Sequence, residues 1–170
     1  MGKRKESIDR IRRERARFSL PEPKREYFQT NKEYQIARTE YNIQEHNFFS
    51  LDDGSEVDPD PCIVKRFRII MSELSDEECE GWLIYIDEEG DSICIKTAVE
   101  IKRGNTPMIA EAWIGNEIMG FSEYTDTPRG FIDAANNQQV FSLTRLKEWM
   151  GAMTEKYNIP KQKKNKPLGN

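Results

Sequence analysis

Glu100-Ile101-Lys102 places a carboxylate and an ammonium two residues apart. In a strand, residues two apart share a face. Metal-dependent nucleases use this local pattern, in which the carboxylate holds a divalent cation and the lysine orients or deprotonates a water. The element meant to carry it is the run 92–102. Its alternation predicts Ile93, Ile95, Val99 and Ile101 on a core face, with Lys96, Glu100 and Lys102 opposite. A solvated strand of mixed charge is the alternative reading of the same letters.

The partner acid is sought across a hairpin. A two-residue turn at Glu89-Gly90 pairs residues whose numbers sum to about 179, so Glu100 falls opposite Cys79 and Lys102 opposite Glu77. That places the acidic run Asp76-Glu77-Glu78-Cys79-Glu80 beside Glu100, with Glu80 the leading candidate. Two carboxylates held close repel one another unless a cation sits between them. Oxygen ligands of this kind suit Mg²⁺ or Mn²⁺. On this reading Glu80 and Glu100 bind the metal, and Glu80, Glu100 and Lys102 form the catalytic set.

These residues resemble the motif of the PD-(D/E)XK, or restriction-endonuclease-like, superfamily over about residues 81–150. Glu100-Ile101-Lys102 is similar to its ExK element. Glu111 on the next strand, and Val140-Phe141-Ser142-Leu143 leading into a Trp149-bearing helix, are similar to the strands and closing helix beyond that element. The resemblance implies Mg²⁺-dependent processing of nucleic acid. An Asp expected at the start of the preceding strand is replaced by Glu80 or Glu78.

Other chemistries are bounded by composition. The 170 residues contain one histidine, His46, and three scattered cysteines, Cys62, Cys79 and Cys94, with no CxxC pair. These residues lack the ligand spacing of a zinc site, and the odd, scattered cysteines do not imply a disulfide framework. No apolar run approaches the ~20 residues of a membrane span, and a reducing cytoplasm is the expected compartment.

Charge is segregated. Residues 1–26 hold ten Lys/Arg against five Asp/Glu, residues 156–170 hold five Lys and no acid, and residues 27–155 hold eleven basic against twenty-five acidic side chains. The chain therefore reads as a basic arm (1–26), one α+β domain (27–159) and a basic tail (160–170). Lys3, Arg4, Lys5, Arg12, Arg13, Arg15, Lys161, Lys163, Lys164 and Lys166 are the candidate nucleic-acid contacts. An acidic body with basic arms also fits a non-enzymatic interaction protein that meets nucleic acid or a charged protein surface. A phage accessory or anti-defence inhibitor, a ribonucleoprotein subunit or a virion subunit would have this charge layout. On that reading Trp82, Tyr85, Trp113, Phe121 and Tyr124 are candidates for stacking bases, although Trp82 and Trp113, in apolar strands, read first as core.

The positioning elements are set by periodicity. Asn31 caps a helix over 32–46 with a Tyr34/Ala37/Tyr41 stripe, followed by a Phe48-Phe49 plug and an acidic Pro-rich loop over 51–61. Strands are expected at 63–71, 82–87, 92–102, 108–114 and 139–143, with a turn near 75–78, loop over 119–130 and a final hairpin from 130–134 with 139–143. Thr144 caps a helix over 145–157 whose Leu146, Trp149, Met150, Met153 and Tyr157 line one face. The sum is α+β: one central mixed or antiparallel sheet flanked by N-terminal and C-terminal helices.

Overall fold

The computed structural model describes residues 21–44, 59–125 and 137–160. The expectations for His46, the Phe48-Phe49 plug, the hairpin half at 130–134 and both sets of basic arm residues lie outside these. The order is a 3₁₀ turn at Arg25–Tyr27, then α1 (Asn31–Gln44), α2 (Pro61–Glu73), α3 (Asp76–Cys79), β1 (Trp82–Ile86), β2 (Ile93–Thr97), β3 (Ile101–Arg103), β4 (Thr106–Ile114), β5 (Ile118–Thr125), β6 (Asn137–Val140) and α4 (Leu143–Lys156). The fold is α+β, with one six-stranded antiparallel sheet and helices from both sides of the sequence.

The segment 63–71, expected as a strand, is a helix. Asp60 caps it by accepting from Cys62 N at 2.8 Å, and Pro61 opens it, where its missing N–H costs nothing. Its β-branched content suggests a strand, but the decisive period is 3.6. Ile63, Phe67, Ile70, Met71 and Leu74 recur at helical spacing and all are buried.

The β1–β2 hairpin has the expected register, from Trp82↔Thr97 to Ile86↔Ile93. Gly90 supplies the left-handed backbone at its turn, with φ +75°. A Cβ there would meet Pro59 Cα at 2.6 Å. The run 92–102 is not one strand, however. From Lys96 to Ile101 the chain advances five residues while their partners on β4, Glu111 and Met108, lie three apart. Two extra residues are accommodated as a bulge at 98–100. Ile93, Ile95 and Ile101 stay in the core, but Val99 is turned outward.

The described part of the 119–130 segment, expected as loop, is strand through Thr125. β5 carries little apolar alternation, with Gly120, Ser122 and Glu123 in it. It is held instead by β4 and β6 on its two sides. β6 therefore pairs with β5. Ser142 rather than Thr144 caps α4, accepting from Arg145 N at 3.3 Å.

α1 also departs from expectation. Thr30 Oγ1 accepts from Glu33 N, so the capping side chain is Thr30, and Asn31 begins the helix. Its buried face is Asn31, Gln35 and Thr39, a polar stripe, while Tyr34, Ala37 and Tyr41 are only half-buried.

Sheet pairing fixes which side chains share a face. Trp82, Ile84, Ile86, Ile93, Ile95, Ile101, Ala110, Ala112, Ile114 and Met119 form one face, and all are buried in one cluster with α2 and α4. Trp149 bridges the layers, tilted against Trp82 at 5.4 Å and stacked on Phe121 at 4.9 Å. The burial of Trp82 agrees with its reading as core.

Candidate functional site

The structure brings Glu100 and Lys102 together and buries Glu80 against the start of α1. Lys102 Nζ lies 3.8 Å from Glu100 Oε1, with both side chains more than half exposed. The ladder expected to carry Glu100 to the 76–80 segment stops at Trp82↔Thr97. One further backbone bond, Ala98 N to Gly81 O, closes it before the bulge turns the chain away. β3 then pairs with β4, so Lys102 lies opposite Pro107 instead of Glu77.

Glu80 is a buried residue, 6% exposed. Its Oε1 accepts from the backbone N of Asn31, so the carboxylate sits at the start of α1, where the helix dipole favours negative charge. Within the acidic run, Glu78 is committed locally. Ser75 and Glu78 form a reciprocal capping box on α3. The Mg²⁺ implied by the resemblance therefore has Glu100 at the surface and Glu80 in the interior, and no strand pairing joins them.

Acidic side chains do converge at the β1–β2 turn. Ligand atoms of Asp87, Glu89 and Asp91 lie within 4.8 Å of one another, a spacing that could hold a metal ion. Asp87 already has partners: Oδ1 accepts from Asp91 N and Ser92 N, and Oδ2 from Ser92 Oγ at 2.7 Å. Partial burial pushes its carboxyl up, but these hydrogen bonds outweigh it and hold the group below the ordinary carboxylate value. The hydrogen bond with Asp87, followed by partial burial, raises Asp91. Asp87 thus has a structural task in shaping the turn.

The second candidate is the other face of the sheet, which carries Tyr85, Trp113 and Tyr124 of the five stacking candidates, while Trp82 and Phe121 lie on the core face. Leu83, Tyr85, Cys94, Ile109, Trp113, Ile118, Tyr124 and Val140 alternate with the core positions and so point the opposite way. None belongs to the core cluster, and each is half-buried or exposed. A polar seam crosses the face. Lys96 is directly opposite Glu111, Tyr124 Oη donates to Glu111 Oε2 at 3.0 Å, and Lys96 Nζ stands 5.7 Å over the Tyr85 ring. Burial pushes the Cys94 thiol up to about 11, so it is not a thiolate nucleophile at neutral pH. Cys79, deeper, is pushed up to about 12 by burial.

A third site is a cleft of about 370 Å³ beside α4, lined among others by Arg103, Phe121, Glu123, Asn137, Trp149 and Lys156. Glu123 Oε1 accepts from Lys156 Nζ at 2.7 Å and from Tyr157 Oη at 2.6 Å. Burial raises the Glu123 carboxyl, but those two donors more than offset it and leave it below its ordinary value.

No family model matches this chain, and neither a curated protein nor a solved structure does. Among the described residues, no helix is long and apolar enough to cross a membrane.

Proposed function

We infer that this is a non-enzymatic interaction protein that binds a partner protein through the sheet face opposite the helices. One observation carries the reading. The strands send Trp82, Ile84 and Ile95 into the core, and they send Leu83, Tyr85, Ile109, Ile118 and Val140 to a face outside it. An antiparallel sheet with one solvated face ordinarily alternates apolar-in and polar-out. Here the second side also carries large apolar side chains, Ile118 and Val140 among them exposed, and exposed apolar surface marks interaction sites. The Lys96–Glu111–Tyr124 seam supplies directional contacts within it, as the polar groups of protein interfaces do. The acidic surplus of residues 27–155 would steer a basic partner toward the body. On this reading the partner is a protein of the kind a phage accessory protein, anti-defence inhibitor or ribonucleoprotein subunit engages.

Magnesium-dependent nucleic-acid processing is the second reading. The exposed Glu100–Lys102 pair is the observation in its favour.

A photo-crosslinking side chain at Leu83 or Ile109, compared with one at the exposed Glu148 of α4, separates the two. Crosslinks to a discrete protein at the first two positions and not at the third support the interaction reading. Mg²⁺-dependent cleavage of DNA or RNA that is lost in both Glu100→Gln and Lys102→Ala would replace it with the nuclease reading.

A further inference from the structure

The outer edge of β1 is closed by side chains rather than by a strand. In the β1–β2 ladder, Asp87 N donates to Ser92 O and Ala98 N donates to Gly81 O. Odd-numbered residues thus exchange bonds with β2, and the N–H and C=O of Trp82, Ile84 and Ile86 face away from it. Two amide side chains of α1 meet these outward groups. Asn31 Nδ2 donates to Trp82 O at 2.8 Å, and Ile84 N donates to Gln35 Oε1 at 3.3 Å. Gln35 Nε2 donates to Asn31 Oδ1 at 3.2 Å and ties the amides together.

The fit is geometric. Four residues of helix advance about 6 Å, and two residues of strand advance about 6.7 Å. Asn31 and Gln35, one helical turn apart, therefore reach Trp82 and Ile84, one strand repeat apart. One amide donates to a strand carbonyl and the other accepts from a strand N–H, which is what a neighbouring strand backbone would do. This accounts for the polar buried face of α1. Its apolar hold on the core is confined to the partly buried Ile36 and Ile43.

We propose that α1 is a displaceable guard over a strand-acceptor edge, and that the occupant it excludes is the β1 edge of a second copy of this chain. An exposed edge strand is a template for pairing. Antiparallel pairing of two β1 strands about a two-fold axis at Ile84 is self-complementary, as a symmetric dimer requires. Trp82 of each copy would face Ile86 of the other, and the outward N–H and C=O groups would be satisfied mutually. Docked α1 and the paired edge exclude one another.

The test is the oligomeric state of the full chain with Asn31→Ala and Gln35→Ala combined, by light scattering across a concentration series. Loss of the four side-chain hydrogen bonds that these amides make in the guarded state, one of them from Asn31 Nδ2 to Cys79 O at 2.7 Å, should tighten self-association at least about tenfold over the parent chain. Hydrogen exchange of the Ile84 and Ile86 amides should slow as protein concentration rises. Adding Ile86→Pro, which removes an N–H from the outer edge and none from the β2 ladder, should return the chain to monomer. A double variant that stays monomeric overturns the proposal. So does a dimer whose Ile84 and Ile86 amides exchange as fast as in the monomer, or one that survives Ile86→Pro. Should the double variant lose its native circular dichroism, Gln35→Met keeps the side-chain volume, removes the acceptor, and decides by the same readouts.

Discussion

The two faces of the sheet are made from the same strands, yet they differ in what holds their side chains. On the helix-covered face, Ile84, Ile95 and Ala112 are fully buried in a continuous cluster that reaches α2 and α4. One residue along each strand, Leu83, Cys94 and Trp113 point the other way and lie outside that cluster. The period-2 alternation that builds a core on one side builds a second apolar surface on the other. On the interaction reading, substitutions at neighbouring positions should separate stability from partner binding.

The largest expected effect is on the covered face. Ile95→Ala removes buried methylenes from a site that cannot fully collapse, and should cost about 2–5 kcal/mol in urea-induced unfolding. Leu83→Ala, opposite, should cost less than about 1 kcal/mol in the same experiment. Equal losses at the two positions would show that both faces are cores and would remove the basis for the binding reading.

A smaller effect sharpens the comparison at the rim of the covered face. The Glu123 carboxyl lies below its ordinary value because Lys156 and Tyr157 donate to it, even though burial opposes them. Its contribution is therefore fully present above the unfolded-state value, and is lost as pH falls through the lower folded-state value. Because the group is about a third exposed, the contribution should stay under about 1 kcal/mol. Glu123→Gln should flatten the drop in melting temperature below about pH 4.5. An unchanged acid limb would show that the three groups do not interact in solution.

The smallest effect leaves stability aside. Exposed Cys62 should react first with a thiol reagent at neutral pH, half-buried Cys94 slowly, and Cys79 only on unfolding. Cys94 reacting as fast as Cys62 would mean that the second face is more open than its half-burial indicates.

How far the sequence reveals this arrangement depends on whether local pattern or distant contact decides each element. The β1–β2 register and the α4 stripe are legible because turn length and apolar spacing settle them locally. Helix α2 reads as a strand only when β-branched content is weighed above an explicit Asp-Pro start and a 3.6-residue period. The polar buried face of α1 is not readable at all. Asn31 and Gln35 are buried because they bond to strand groups about fifty residues away, and neither residue type signals that alone. The strand pairing expected to join Glu100 to Glu80 breaks off for a related reason. The Glu100–Lys102 spacing implies a shared site with Glu80 only within an unbroken strand, and a two-residue bulge separates that end of the strand from Glu80.

Gly81 also bears on how the chain folds. Its φ is +80°, and a Cβ at this position would stand 2.3 Å from Ile159 Cγ2, just past the end of α4. Most of the sheet is a meander whose contacts close short loops, which favours rapid formation. The Gly81–Ile159 approach instead joins the start of the first strand to the end of the last helix, and closing so long a loop costs more chain entropy than any hairpin does, which makes it a late contact by expectation. Gly81→Ala should therefore accelerate unfolding in stopped-flow denaturation while leaving the refolding rate nearly unchanged, the signature of a contact made after the transition state. The persistence time of the native state would then depend on the residues just after α4 seating against one glycine.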